Sequence, residues 1–181
     1  MVDPDPVSRA ASLVRLFVPT ASDFGAVRGV VAAEVPQPYQ DLLAHCSHMT
    51  VAMERFHGGP AGLRVVATAD ADHDDWYARE ILLTSPRGDV VQYGIVRIDL
   101  SVLEPETAAR VRRGDVPLGR ILIQSGVLCE VQRVSLLEVR PGPHLEPWLG
   151  RGRTYGRVAA IVVDGRPTIE LLEISAVVSD A

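Results

Sequence analysis

The chain has 181 residues, 47% hydrophobic and 23% charged, with a formal net charge of -5. This is the size and composition of one globular domain with a real core, and it excludes a disordered chain. The acidic balance argues against nucleic acid or an anionic membrane as main partner, and the absence of any lysine (all 18 Lys/Arg positions are arginine) excludes lysine Schiff bases and pyridoxal phosphate held as an internal aldimine.

Residues 1–8 are rich in Pro and Asp and are expected to be loose, without a basic stretch leading into an apolar run. No apolar run reaches membrane-spanning length. Two cysteines, Cys46 and Cys129, stand outside any CxxC pair and imply no disulfide framework. The expected setting is the reducing cytoplasm.

Residues 9–18 predict a short helix, with Leu13, Leu16 and Phe17 at helical spacing. Residues 20–38 read as a connection punctuated by Gly and Pro, with a helical turn near 27–33. The first 38 residues therefore read as an N-terminal extension with a short helix, ahead of a domain over 39–181. One globular unit is expected overall. Residues 39–56 give the clearest helix: Leu42, Cys46, Met49, Met53 and Phe56 form one apolar stripe, and Gly58-Gly59-Pro60 ends it. Residues 62–69 predict a strand, and 70–75 an exposed acidic loop.

A hairpin follows over 76–84 and 90–100. Its first strand alternates so that Tyr77, Arg79, Ile81 and Leu83 share a face. Residues 104–113 predict a polar helix. Val116-Pro117-Leu118-Gly119 reads as a turn into the short apolar stretch 120–125. Residues 127–139 predict a strand, and 140–156 a loop carrying Trp148 and Tyr155. The chain closes on a second hairpin, 158–163 and 168–178, around Asp164-Gly165. In its last strand Ile169, Leu171, Glu173, Ser175 and Val177 share a face. Successive hairpins with an amphipathic helix to cover them predict an α+β fold with one antiparallel sheet.

Arg79 and Glu173 are charged residues in apolar registers. Either they face solvent or each other as a structural ion pair, or they line a pocket. In a pocket, Arg79 would bind a carboxylate bidentately. A desolvated Glu173 would act as a general acid there. Glu170, Glu138 and Glu130 are weaker acidic candidates, and Arg97 and Arg157 are candidates for added positive charge. His45, His48 and His57 surround Glu54 but lack any metal motif, so no metal site is expected. Ser125, Ser135 and Cys129 lack a nucleophile motif. Gly58-Gly59 and Gly150-Arg151-Gly152 lack the strand–helix context of a phosphate cradle.

Several pieces, taken in order over about 39–178, resemble the chorismate pyruvate-lyase family. They are Ser47-His48-Met49-Thr50 with Glu54; Tyr77-Ala78-Arg79-Glu80-Ile81-Leu82-Leu83; Pro117-Leu118-Gly119-Arg120-Ile121-Leu122; Tyr155-Gly156-Arg157; and Gly165-Arg166-Pro167 leading to Glu173. The resemblance implies a chorismate lyase-like sheet with helices over one face and an internal pocket closed by helical flaps. It implies elimination of pyruvate from chorismate to leave a hydroxybenzoate, 4-hydroxybenzoate first, with Arg79 and Glu173 catalytic. Arg79, Met49, Thr50, Leu118, Gly119 and Arg157 would bind the substrate. Aromatisation drives that reaction, so neither metal nor redox cofactor is expected. The implied partner is a small carboxylate, without nucleic acid or membrane, and the chain would act as a monomer or homodimer. One departure stands out: the last strand runs about one residue longer between Gly165 and the acid, leaving Glu173 and Glu170 as alternatives. Two rivals remain. One is a non-catalytic module for aromatic carboxylates, the fold's role in some transcription regulators, although no DNA-binding segment is recognisable here. The other is a fold relative recruited as a secondary-metabolite cyclase.

Overall fold

The computed structural model describes residues 5–70 and 76–177, so most of the expected acidic loop at 70–75 lies outside the described residues. Seven strands are described: β1 (Gly25–Val30), β2 (Gly62–Asp70), β3 (Trp76–Thr84), β4 (Val90–Asp99), β5 (Cys129–Pro141), β6 (Thr154–Val163) and β7 (Arg166–Ser175). They form one sheet in the order β1-β5-β6-β7-β4-β3-β2, and every neighbouring pair is antiparallel. The α+β class and single antiparallel sheet expected from the hairpin spacing are what the chain forms. Asp164 and Gly165, at φ 47° and 78°, make the two-residue turn that joins β6 to β7.

Alternation sorts the side chains onto two faces. On β3, Tyr77, Arg79, Ile81 and Leu83 share one face, while Glu80 and Leu82 point the other way. The first face lies beneath α3 (Tyr39–Leu43), α4 (Met49–His57), α5 (Pro105–Arg113) and α6 (Leu118–Ser125). The second also carries helices. There α1 (Pro6–Val14), α2 (Ala21–Phe24) and α7 (Glu146–Leu149) pack over Leu82, Tyr93, Ile95, Leu172 and Ile174. Burial on both faces explains why the central strands are apolar at nearly every position. Each fully buried Leu or Ile contributes roughly 1.5–3 kcal/mol.

Four local expectations change. Residues 25–30, read as connection and helical turn, form edge strand β1, because β5 offers a full ladder with Val27 opposite Val139. With Ala10, Leu13 and Val14 of α1 in the core, the first 38 residues contribute both an edge strand and packing to the sheet. The helix expected over 39–56 is broken into α3 and α4, which leaves Cys46 exposed and Phe56 45% exposed. The stretch 120–125 is helical, and the loop 140–156 holds α7 and the start of β6.

Candidate functional site

The break between α3 and α4 has a physical cause 110 residues downstream. Arg157 on β6 is fully buried. It donates Nη1 to the His45 carbonyl at 2.8 Å and Nη2 to the Ser47 carbonyl at 3.1 Å. Its Nε donates to Glu173 Oε2 at 2.8 Å, and the two residues face each other in the β6–β7 register. A continuous helix would claim both carbonyls; the guanidinium takes them instead. Arg157 is a filled clamp that fixes the α3–α4 link and one oxygen of Glu173.

Arg79 is the second fully buried arginine on this face, and its state is the opposite. Its Nη1 donates to the Val111 carbonyl at 3.0 Å, one of the acceptors left over at the C-terminal end of α5, and the Tyr77 hydroxyl lies near enough to act on the guanidinium. Its Nε and Nη2 find no partner among the described residues. These two groups form one edge of the guanidinium, the edge that presents two parallel N–H groups to a carboxylate. Burial pushes the Arg79 guanidinium below its usual value, with Tyr77 and Asp115 acting against the shift. It remains cationic in the neutral range.

Both arginines line one cavity on the helix-covered face. Met49, Thr50, Leu118, Gly119 and Glu173 line it too, so the structure brings the whole expected set together. Glu170 points to the opposite face, where it pairs with Arg97, so neither reaches the cavity. Glu138 pairs with Arg28 at 3.1 Å and is likewise elsewhere. Arg79 and Glu173 therefore neither face solvent nor pair with each other. Between them β4 contributes Gly94, which pairs with Ile81 on one side and Glu173 on the other. A Cβ there would meet Ile81 Cγ1 at 3.3 Å. The Ile81 side chain leans over the backbone at this point of the cavity wall.

The roof is made by the starts of two helices. His48 and Pro117, the residues that open α4 and α6, make no side-chain cap. The first amides of both helices, at Met49, Thr50, Leu118 and Gly119, lack intrahelical acceptors and carry the positive end of the helix dipole. The roof is tight. A Cβ on Gly119 would lie 3.1 Å from both His48 Cβ and Thr50 Oγ1, and Glu54 pairs with Arg120 across the two helices. Space for the centre of a water molecule is about 40 Å³, room for a few waters.

His48 lines the cavity and His45 sits beneath the clamp. Burial lowers both imidazoles from their usual value; Arg157 adds to this and Glu173 opposes it. Among the described residues no three His, Cys, Asp or Glu side chains gather as a metal site. Glu80, part of the Arg-Glu-Ile-Leu-Leu piece, turns to the second face and accepts from Tyr93 Oη at 2.7 Å. One lining residue, Gln92, escaped the sequence reading, although it shares the parity of Gly94 and Val96.

No family model matches the chain, and no curated protein matches it in sequence. Solved structures do match in fold. The effector domain of PhnF from Mycobacterium smegmatis superposes with a TM-score of 0.53 at 15% identity, over 75% of this chain and 96% of that domain. PhnF itself gives 0.51 at 15% identity, over 72% of this chain. The match spans only 64% of that PhnF chain. No helix among the described residues is long and apolar enough to cross a membrane. The fold is chorismate lyase-like, in the form seen in an effector domain.

Proposed function

We propose that this chain is a binding module for a small cyclic carboxylate, held in the cavity beneath α4 and α6 with its anionic end on Arg79. One observation carries this reading: a fully buried guanidinium whose paired Nε and Nη2 donors are empty. A buried charge left without partners is costly, so a site that maintains one is organised for an anion from outside. The uncapped starts of α4 and α6 add positive potential at the same cavity. The remaining walls, including Ile81, Leu83, Val96 and Leu171, suit an apolar ring. The likeness to an effector domain supports binding over catalysis. The acidic charge of these 181 residues argues against direct contact with nucleic acid by this chain alone.

The test is calorimetry with benzoate against benzamide, its neutral counterpart. Benzoate is expected to bind at least about tenfold more tightly, and Arg79→Met is expected to erase the difference. Equal affinity for the two, or binding of neither, overturns the reading.

A second reading, chorismate elimination, has one observation in its favour: Glu173 shares the cavity with Arg79. Arg157 holds Glu173 Oε2, so a general acid there would carry its proton on Oε1. Release of pyruvate and a hydroxybenzoate from chorismate, lost in Glu173→Gln with binding retained, would establish it. Binding without turnover leaves the module.

A further inference from the structure

Arg79 accounts for one end of the cavity, and the other end carries a second unanswered group. Gln92 is 1% exposed and lines the cavity. Its Oε1 has no hydrogen-bond partner among the described residues. Its cross-strand neighbours offer none: Leu83 on β3 is apolar, and Ser175 on β7 turns its hydroxyl to the Ala176 carbonyl at 3.1 Å. A buried amide oxygen without a donor is as anomalous as a buried arginine without an acceptor.

The two groups have complementary demands and a defined separation. Arg79 faces Val96 in the β3–β4 register, and Gln92 lies four residues back along β4. At a rise of about 3.3 Å per residue, those rows are about 13 Å apart. Gly94 lies midway and has no side chain of its own, and the Ile81 side chain packs over it, with Cγ1 and Cδ1 at 3.3 and 3.5 Å from where a Cβ would stand. A donor edge on β3, an apolar stretch at Ile81 and Gly94, and an acceptor on β4 thus follow one another along the β3–β4 pair.

We propose that Gln92 determines specificity, its Oε1 accepting a hydrogen bond from a hydroxyl or amino group at the end of the ligand remote from its carboxylate. This rests on the carboxylate reading of Arg79 and adds the substrate's second recognition group. The ligand is a compact cyclic acid with a donor opposite its anion. An analogue lacking the donor leaves the Gln92 oxygen buried and bare, and polar sites reject such analogues strongly.

The experiment is calorimetry with benzoate, 4-hydroxybenzoate, 4-aminobenzoate and 4-methoxybenzoate, the last offering an acceptor and no donor. The wild type is expected to bind the hydroxy and amino acids at least about tenfold more tightly than the methoxy acid and benzoate. In Gln92→Met that preference is expected to vanish, the four acids then binding within about twofold of one another. If Gln92→Met does not fold, the Gln92 side-chain amide resonances of labelled wild type decide. They are expected to move with 4-hydroxybenzoate and stay with 4-methoxybenzoate. A wild type that binds benzoate but treats hydroxy and methoxy acids alike overturns the inference and spares the carboxylate reading. So does a preference that survives in Gln92→Met. A wild type that binds none of the four overturns both.

Discussion

Replacing Arg79 with methionine is expected to make the ligand-free protein more stable, even though it removes the best-placed charge in the molecule. Two buried donors of Arg79 are empty, and each unsatisfied buried donor costs about 1–3 kcal/mol. Against this stands one charge-assisted bond, to the Val111 carbonyl at 3.0 Å, worth about 1.5–3 kcal/mol. Methionine follows much the same path through the apolar walls without a charge to desolvate. The balance favours the variant by about 2 kcal/mol, which for a chain of this length is a rise of roughly 4–8 °C in Tm. Differential scanning calorimetry of both proteins without ligand measures it, and the same scans with excess benzoate supply the counterpart. Ligand is expected to raise the Tm of the wild type and leave that of Arg79→Met unmoved. A ligand-free variant that melts below the wild type would show that Arg79 holds the fold together, and the carboxylate reading would lose its basis.

Arg157 tests the contrast. Its donors are filled by Glu173 and the α3–α4 link, so Arg157→Met is expected to destabilise by about 3–5 kcal/mol in urea unfolding; a loss below about 1 kcal/mol would mean the clamp is idle. Gly94→Val plants a branched side chain on the cavity wall, facing Ile81 Cγ1 at close range, and is expected to abolish benzoate binding in the calorimeter; undiminished binding would move the ligand elsewhere. The pH dependence of Tm has a definite sign. His45 and His48 titrate below their usual value, chiefly through burial, so the unfolded chain takes up their protons first. Their contribution is complete above about pH 6.5 and lost as pH falls through the lower native values. His48→Asn is expected to flatten the Tm profile in that window, and an unchanged slope would remove His48 from it.

Much of this was legible because period two is a strong signal. Tyr77, Arg79, Ile81 and Leu83 on β3, and Ile169, Leu171 and Glu173 on β7, fall on the cavity face by parity alone. Parity also sends Glu170 to the opposite face, beside Arg97. What escaped depended on distant partners. The stripe from Leu42 to Phe56 gives no hint that Arg157 will take the carbonyls of His45 and Ser47. Residues 25–30 have little strand character of their own and become β1 because β5 has an open edge. Gln92 looks ordinary in a sequence, since polar residues are common in strands; only its burial without a donor marks it.

The tightness of the roof governs time as well as space. On the proposed binding reading, with Gly119 against Thr50 and Glu54 paired to Arg120, a ring that passes between α4 and α6 has to part them, and its arrival would follow that opening rather than diffusion. The same gate would delay departure. On that reading occupancy would outlast a brief fall in ligand concentration, and the chain would average its input over the bound lifetime.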